Sequence, residues 1–100
     1  TGEAVRIEYH LVTNGTIEEF ADTHGLTMVV VERRNPSAPN HRYYAAFQDY
    51  GIRVPGGVCY TYGNGATPEE AIAEYAREIS GQRLERDDRN GPQIPVWHLR

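Results

Sequence analysis

The 100-residue chain contains no lysine, and all ten of its cationic side chains are arginines. Arginine favours bidentate and stacked contacts over simple point charges, although a GC-rich coding sequence produces the same bias. Cysteine is nearly absent as well. The single Cys59 has no intramolecular disulfide partner and no Cys/His cluster has zinc spacing, so a reducing compartment, the cytoplasm, is the expected setting. No apolar run approaches the roughly 18 residues of a spanning helix, and the first residues lack the basic-then-apolar order of a signal peptide, so no membrane partner is expected. Positive charge is not in excess either: a net charge of −4 argues against broad binding to a phosphate backbone.

What is present points to one α+β domain spanning residues 1–100, since a chain of this length holds one modest core. The most informative stretch is YGNGATPEEAIAEYAREISG at residues 62–81. Gly63, Asn64 and Gly65 read as a turn able to take positive φ. Thr67 is a good N-cap, Pro68 suits the first helical position, and Glu69 and Glu70 suit the positive end of the helix dipole. Glu70 stands at the capping-box spacing from Thr67. Ala71, Ile72, Tyr75, Ala76 and Ile79 recur at helical spacing and Gly81 supplies a stop, so an amphipathic helix is expected here. Such a helix is too short to stand alone in water and needs a sheet beneath it.

The sheet is expected from three runs. Residues 26–34, LTMVVVERR, are β-branched and end charged, as in a strand leaving the core. Residues 42–49, RYYAAFQD, place Tyr43, Ala45 and Phe47 on one face, and residues 58–62, VCYTY, alternate Val58, Tyr60 and Tyr62 against Cys59 and Thr61. Loops join them, with Pro36 and Pro39 excluding residues 35–41 from a ladder, so a three-stranded antiparallel meander follows. Thr16 to Gly25 reads as a short capped N-terminal helix. Residues 5–12, VRIEYHLV, have strand period or form a loosely held arm. Residues 82–93 read as a solvated turn, and IPVWHL at 94–99 as a C-terminal edge strand because of Pro95. The expected core is Phe20, Leu26, Val29, Val31, Tyr43, Ala45, Phe47, Val58, Tyr60, Ile72, Tyr75, Ala76 and Ile79. An exposed edge, VRIEYHLV or IPVWHLR, would support a homodimer by strand addition.

No cofactor, metal or catalytic residue is expected. Gly63-Asn64-Gly65 before a helix start could cradle an anion, but Glu69 and Glu70 would repel phosphate and neither dinucleotide nor Walker spacing is present. His10, His24, His41 and His98 lack the short spacings of a ligand pair. Cys59 reads as a small buried hydrophobe with no nominated base. Asp49, Glu69 and Glu70 read as solvated acids rather than an acid-base pair. The tyrosines carry more information. Tyr43, Tyr44, Tyr50, Tyr60 and Tyr62 fall on adjacent expected strands, and a meander covered by one helix leaves one face open. Tyrosine and arginine are enriched at interface hot spots, which nominates Arg42, Tyr44, Tyr50 and Arg53 as a partner-binding surface. The competing explanation is cross-strand aromatic pairing that stiffens the sheet. Base stacking on the same rings would call for more surrounding positive charge.

RYYAAFQD, a Gly-containing turn and YGNGATPEEAIAEYAREISG together resemble the HicB-like antitoxin domain over residues 42–81. The TPEEAIAEYAREISG ending also looks like small proteins of bacteriophages and prophages. The resemblance implies a β-β-β-α-β domain that works by protein contact, neutralising a toxin or blocking a host defence protein as anti-CRISPR proteins do. The expectation is therefore a non-enzymatic protein-binding module that sequesters or inhibits a host or toxin protein and is encoded by a phage or mobile element. The alternative is a nucleic-acid- or small-ligand-binding accessory domain.

Overall fold

The computed structural model describes residues 14–86 and 93–99. Two helices form where their caps are encoded. Helix α1 (Ile17–His24) starts at Thr16, whose hydroxyl accepts from the Glu19 amide at 3.1 Å while the Glu19 carboxylate reaches back to the Thr16 amide at 3.4 Å. Gly25, at φ 65°, ends it in the left-handed conformation that glycine adopts without strain. Helix α2 (Pro68–Ile79) starts at Thr67, which accepts from the Glu70 amide at 3.2 Å. Here the Glu70 carboxylate accepts from the Ala66 amide at 3.0 Å instead of closing the reciprocal box on Thr67. At the far end Ser80 donates to the Ala76 carbonyl at 2.6 Å and accepts from the Leu99 amide at 3.0 Å, tying the helix to the last strand.

The strands are β1 (Asn14–Gly15), β2 (Met28–Glu32), β3 (Tyr43–Phe47), β4 (Tyr50–Val54), β5 (Gly57–Cys59), β6 (Gly63–Gly65), β7 (Arg83–Arg86), β8 (Ile94–Pro95) and β9 (His98–Leu99). They make a three-stranded antiparallel sheet in the order β2-β3-β6 and a four-stranded antiparallel sheet in the order β5-β4-β7-β8. A two-residue parallel pairing joins β1 to β9. The architecture is α+β, with α2 packed on the three-stranded sheet, α1 near the N-terminal end of the described chain, and an edge strand, β8, near its C-terminal end.

Several strand expectations shift. The third strand of the meander is Gly63–Gly65, not residues 58–62; Gly57–Cys59 instead pairs with β4 in the second sheet. The glycines expected to form a turn are there for proximity. A Cβ on Gly63 would stand 2.7 Å from the Tyr75 Cα, and one on Gly65 would stand 2.6 Å from the Glu70 Cβ, so only glycine lets β6 lie this close to α2. Residues 82–93, expected as a solvated turn, contain β7, whose Leu84 is fully buried and whose Glu85 is buried beside Arg53. Residues 50–54 supply a further unexpected strand, β4. The expected strand at residues 5–12 lies outside the described residues.

The core consists of Ile17, Phe20, Ala45, Phe47, Ile52, Ala71, Tyr75, Ala76, Ile79, Leu84 and Val96. Phe20 meets Trp97 edge-on at 5.2 Å between ring centres, and Phe47 meets Tyr75 edge-on at 5.5 Å. Seven expected core members are outside it. Val29 is 37% exposed and Tyr60 59% exposed, while Leu26, Val31, Tyr43, Val58 and Ile72 are half-buried. The pairing register puts Val29 and Val31 on the other face, while Val30, on the core-facing side of this edge strand, is 37% exposed as well. Directly opposed residues share a face, and Ala45 and Phe47 lie opposite Val30 and Met28, whereas Val29 and Val31 lie opposite Ala46 and Tyr44. Val29 and Val31 therefore point away from the helices. Cys59, expected to be buried, is exposed.

Candidate functional site

The sheet face turned away from α2 carries Val29 and Val31 from β2, Tyr44 and Ala46 from β3, and Asn64 from β6, by the pairings Val29↔Ala46, Val31↔Tyr44 and Tyr44↔Asn64. Tyr62, just before β6, continues this face: its ring lies 5.4 Å from that of Tyr44 and it is 48% exposed. Arg33 follows β2 at the position that points the same way, and its guanidinium lies 4.6 Å from the Tyr44 ring centre and 5.6 Å from that of Tyr62. Each such cation–aromatic contact is worth about 0.5–1 kcal/mol at a partly exposed site.

Hydrogen bonds fix that guanidinium further. Nη1 of Arg33 donates to the His41 carbonyl at 2.6 Å and to Oδ1 of Asn64 at 2.7 Å. Asn64 is itself held from the other side, its amide donating to the Glu74 carboxylate at 3.1 Å. Arg33 thus pins three segments: the end of β2, the turn before β3 and, 31 residues away in sequence, strand β6. Apart from Asn64 its neighbours on the face are apolar or aromatic, so the surface combines a held cation with a hydrocarbon floor. Such a surface suits contact with another protein, since aromatic and arginine side chains with restricted motion lose little entropy on association.

The four residues nominated from sequence divide between two sheets. Tyr44 lies on the face just described. Arg42 precedes β3 and forms an ion pair with Glu32 at 2.8 Å, with its guanidinium 5.5 Å from the Tyr43 ring. The Arg42 hydrogen bond holds the Glu32 carboxyl below the usual carboxylate range, and the same bond pushes the Arg42 guanidinium up. Tyr50 and Arg53 stand on β4 in the four-stranded sheet. Arg53 reaches Glu85 at 3.3 Å. Tyr50 is half-buried, beside a shallow depression formed with Gly25, Leu26, Thr27, Gln48, Asp49 and Arg86.

Arg33, Tyr62, Val29, Val31 and Asn64 were not nominated by sequence. Arg33 reads as part of a charged strand end, and the three successive valines give no alternation from which to choose a face. A usable signal exists only once the register is known, because Val29, Val31 and Arg33 then fall on the same side as Tyr44.

Among the described residues the other candidate chemistries find no assembled site. The amides of Asn64 and Ala66, which an anion at the glycine stretch would use, are taken by the Glu74 and Glu70 carboxylates. Among the described residues no three His, Cys, Asp or Glu side chains gather closely enough to hold a metal ion, and no helix is long and apolar enough to cross a membrane. His41 sits in the exposed turn with its Nδ1 3.1 Å from the Ser37 hydroxyl. An apolar groove of about 300 Å³ between Ile17, Ala21, Leu26, Met28 and Ile72 lies on the helix side. Comparison with protein-family models, with curated proteins and with solved structures finds no match to this chain.

Proposed function

We propose that this chain is a non-enzymatic protein-binding module that sequesters or inhibits a protein partner, and that it engages that partner through the face built from Val29, Val31, Tyr44, Ala46 and Tyr62. The observation that carries this reading is the guanidinium of Arg33 held over two tyrosine rings beside a floor of valine and alanine. Burial of that floor supplies the non-directional part of the affinity, at about 25 cal/mol per Å² of apolar surface before the costs of association. The rigid cation and ring edges supply direction. The inhibitory role, antitoxin-like or anti-defence, and carriage by a phage or mobile element follow from the sequence resemblance alone.

One observation favours a second reading. A half-exposed tyrosine ring next to an arginine is also a platform on which a single-stranded base can stack, which would make the chain a nucleic-acid-binding accessory domain. Net charge separates the two, because a chain at −4 meets a polyphosphate with repulsion beyond the contact itself. The test is affinity capture from lysate of the source cells with the native chain and with Val29→Arg. The protein-binding reading expects one stoichiometric protein retained by the native chain and lost from Val29→Arg. Retention of a single-stranded oligonucleotide that falls steeply with salt, with no retained protein, would overturn it.

A further inference from the structure

We propose that Arg33 is a pre-oriented receptor for a carboxylate, so that the partner docks an aspartate or glutamate side chain on the Nε–Nη2 edge of the guanidinium and sets apolar neighbours of that acid on Val29 and Val31. This deepens the protein-binding reading and rests on it for the identity of the occupant as a protein.

The argument begins with the five N–H donors of a guanidinium. Nη1 directs its donors at the His41 carbonyl and the Asn64 side chain. Nε and Nη2 have no protein acceptor among the described residues, and none of the described half-buried residues has a side-chain nitrogen both fully sealed and unpartnered, so these donors keep some contact with solvent. Nε and Nη2 together form the side-on edge that meets both oxygens of a carboxylate in parallel hydrogen bonds. The stacking on Tyr44 and Tyr62 and the two bonds from Nη1 hold that edge in one orientation. The rotamer entropy an arginine usually loses on binding has already been lost in folding.

Three acids of the described residues are engaged elsewhere. Glu32 pairs with Arg42, Glu85 with Arg53, and Glu74 accepts from the Asn64 amide. No carboxylate of the described residues lies within ion-pair distance of Arg33. Among the described residues its positive charge meets ring faces and neutral oxygens, which leaves it able to attract a formal negative charge from outside. A single carboxylate fits better than a nucleic-acid phosphate for two reasons. One guanidinium edge is available, and the surrounding floor is apolar in a chain of net charge −4, an unfavourable setting for a polyanion but a suitable one for a peptide side chain flanked by hydrocarbon.

The test is a titration of the native, ¹⁵N-labelled chain followed at the arginine Nε–Hε resonances, that of Arg33 being identified by its disappearance in Arg33→Lys. The probes are sodium acetate, inorganic phosphate, and the peptides acetyl-Leu-Glu-Leu-amide and acetyl-Leu-Gln-Leu-amide. The expected result is that acetate and the Glu peptide move the Arg33 resonance at concentrations about fivefold or more below those needed for Arg34 and Arg77, with the Gln peptide about tenfold weaker than its Glu counterpart, the loss expected of one charge-assisted bond. Asn64→Asp, which sets a carboxylate of the chain itself against Nη1, should weaken the acetate response. The proposal is overturned if Arg33 responds no more strongly than Arg34 and Arg77, or if phosphate moves it and acetate does not. Capture of a protein in lysate separates this failure from that of the parent reading: undiminished capture by Arg33→Lys overturns the carboxylate receptor and leaves the protein-binding face standing.

Discussion

On one side of the three-stranded sheet the backbone of β6 lies so near α2 that Gly63 and Gly65 have no room for a side chain. On the other side Tyr44 and Tyr62 lie against the Arg33 guanidinium. The first side is organised by exclusion: small residues, buried rings and a helix that leave no freedom. The second is organised by lateral support, the Arg33 guanidinium being steadied by two tyrosine rings, the His41 carbonyl and Asn64. On the proposed reading the closed face holds the fold and the open face meets a partner, so substitutions on the two faces should behave in opposite ways.

The largest expected effect is at the closed face. Gly63→Ala drives a methyl group into the Ala71 carbonyl and the Tyr75 backbone, so α2 must lift from β6. A loss of about 3 kcal/mol is expected in urea unfolding. An effect under about 1 kcal/mol would mean that the seam is loose and that the contrast between faces is weaker than described. Leu84→Ala, in the second sheet, should cost about 2–5 kcal/mol because Leu84 is fully buried. Unchanged stability there would place β7 outside the core.

Tyr75 sharpens the comparison through pH. Burial pushes its hydroxyl above the ordinary tyrosine value, with the Phe47 backbone pulling modestly the other way. The neutral phenol is the form the fold accommodates, so its contribution is complete below about pH 10, the unfolded value, and is lost as pH rises from there through the folded value. Thermal unfolding followed from neutral to alkaline pH should show that decline, and Tyr75→Phe should flatten it.

On the open face, Val29→Arg should cost about 1 kcal/mol or less, since this side chain is already partly exposed, while abolishing partner capture. The smallest effect belongs to the exposed Arg42–Glu32 pair. Arg42→Ala should let the Glu32 carboxyl rise back toward the usual range in an NMR titration, with little change in unfolding. The sign follows from the lowered value: the pair contributes above the usual carboxylate range and is lost as pH falls through the folded value.

Much of this arrangement is legible in the sequence wherever one residue type has one local job. Thr16, Gly25, Thr67 and Pro68 announce their helices because caps act within a single turn. The stripe Ala71, Tyr75, Ala76 and Ile79 gives the packed face of α2 for the same reason. Legibility fails where the job is set by a distant strand. Val29, Val30 and Val31 offer no alternation, so their faces depend on the register with β3, which no local signal carries. Gly63 and Gly65 look like turn residues because close approach to a helix and positive φ call for the same amino acid. Leu84 is one apolar residue among arginines and acids, and its burial follows from pairing with Ile52 and Ile94. Of the nominated site, Tyr44 lies on the open face, whereas Tyr50 and Arg53 belong to a second sheet whose strand β4, interrupted by Gly51, reads as a connection. Arg33 escaped notice because a charged strand end is ordinarily a solvated one.

The most direct test of the central assignment, that the face away from the helices meets a protein partner, is site-specific photocrosslinking in the source cells. A photoreactive amino acid is placed at Val29 on the open face or at Glu78 on the solvent side of α2. The account predicts a single protein adduct from Val29 and none from Glu78; an adduct from Glu78 with none from Val29, or none from either position, would contradict it.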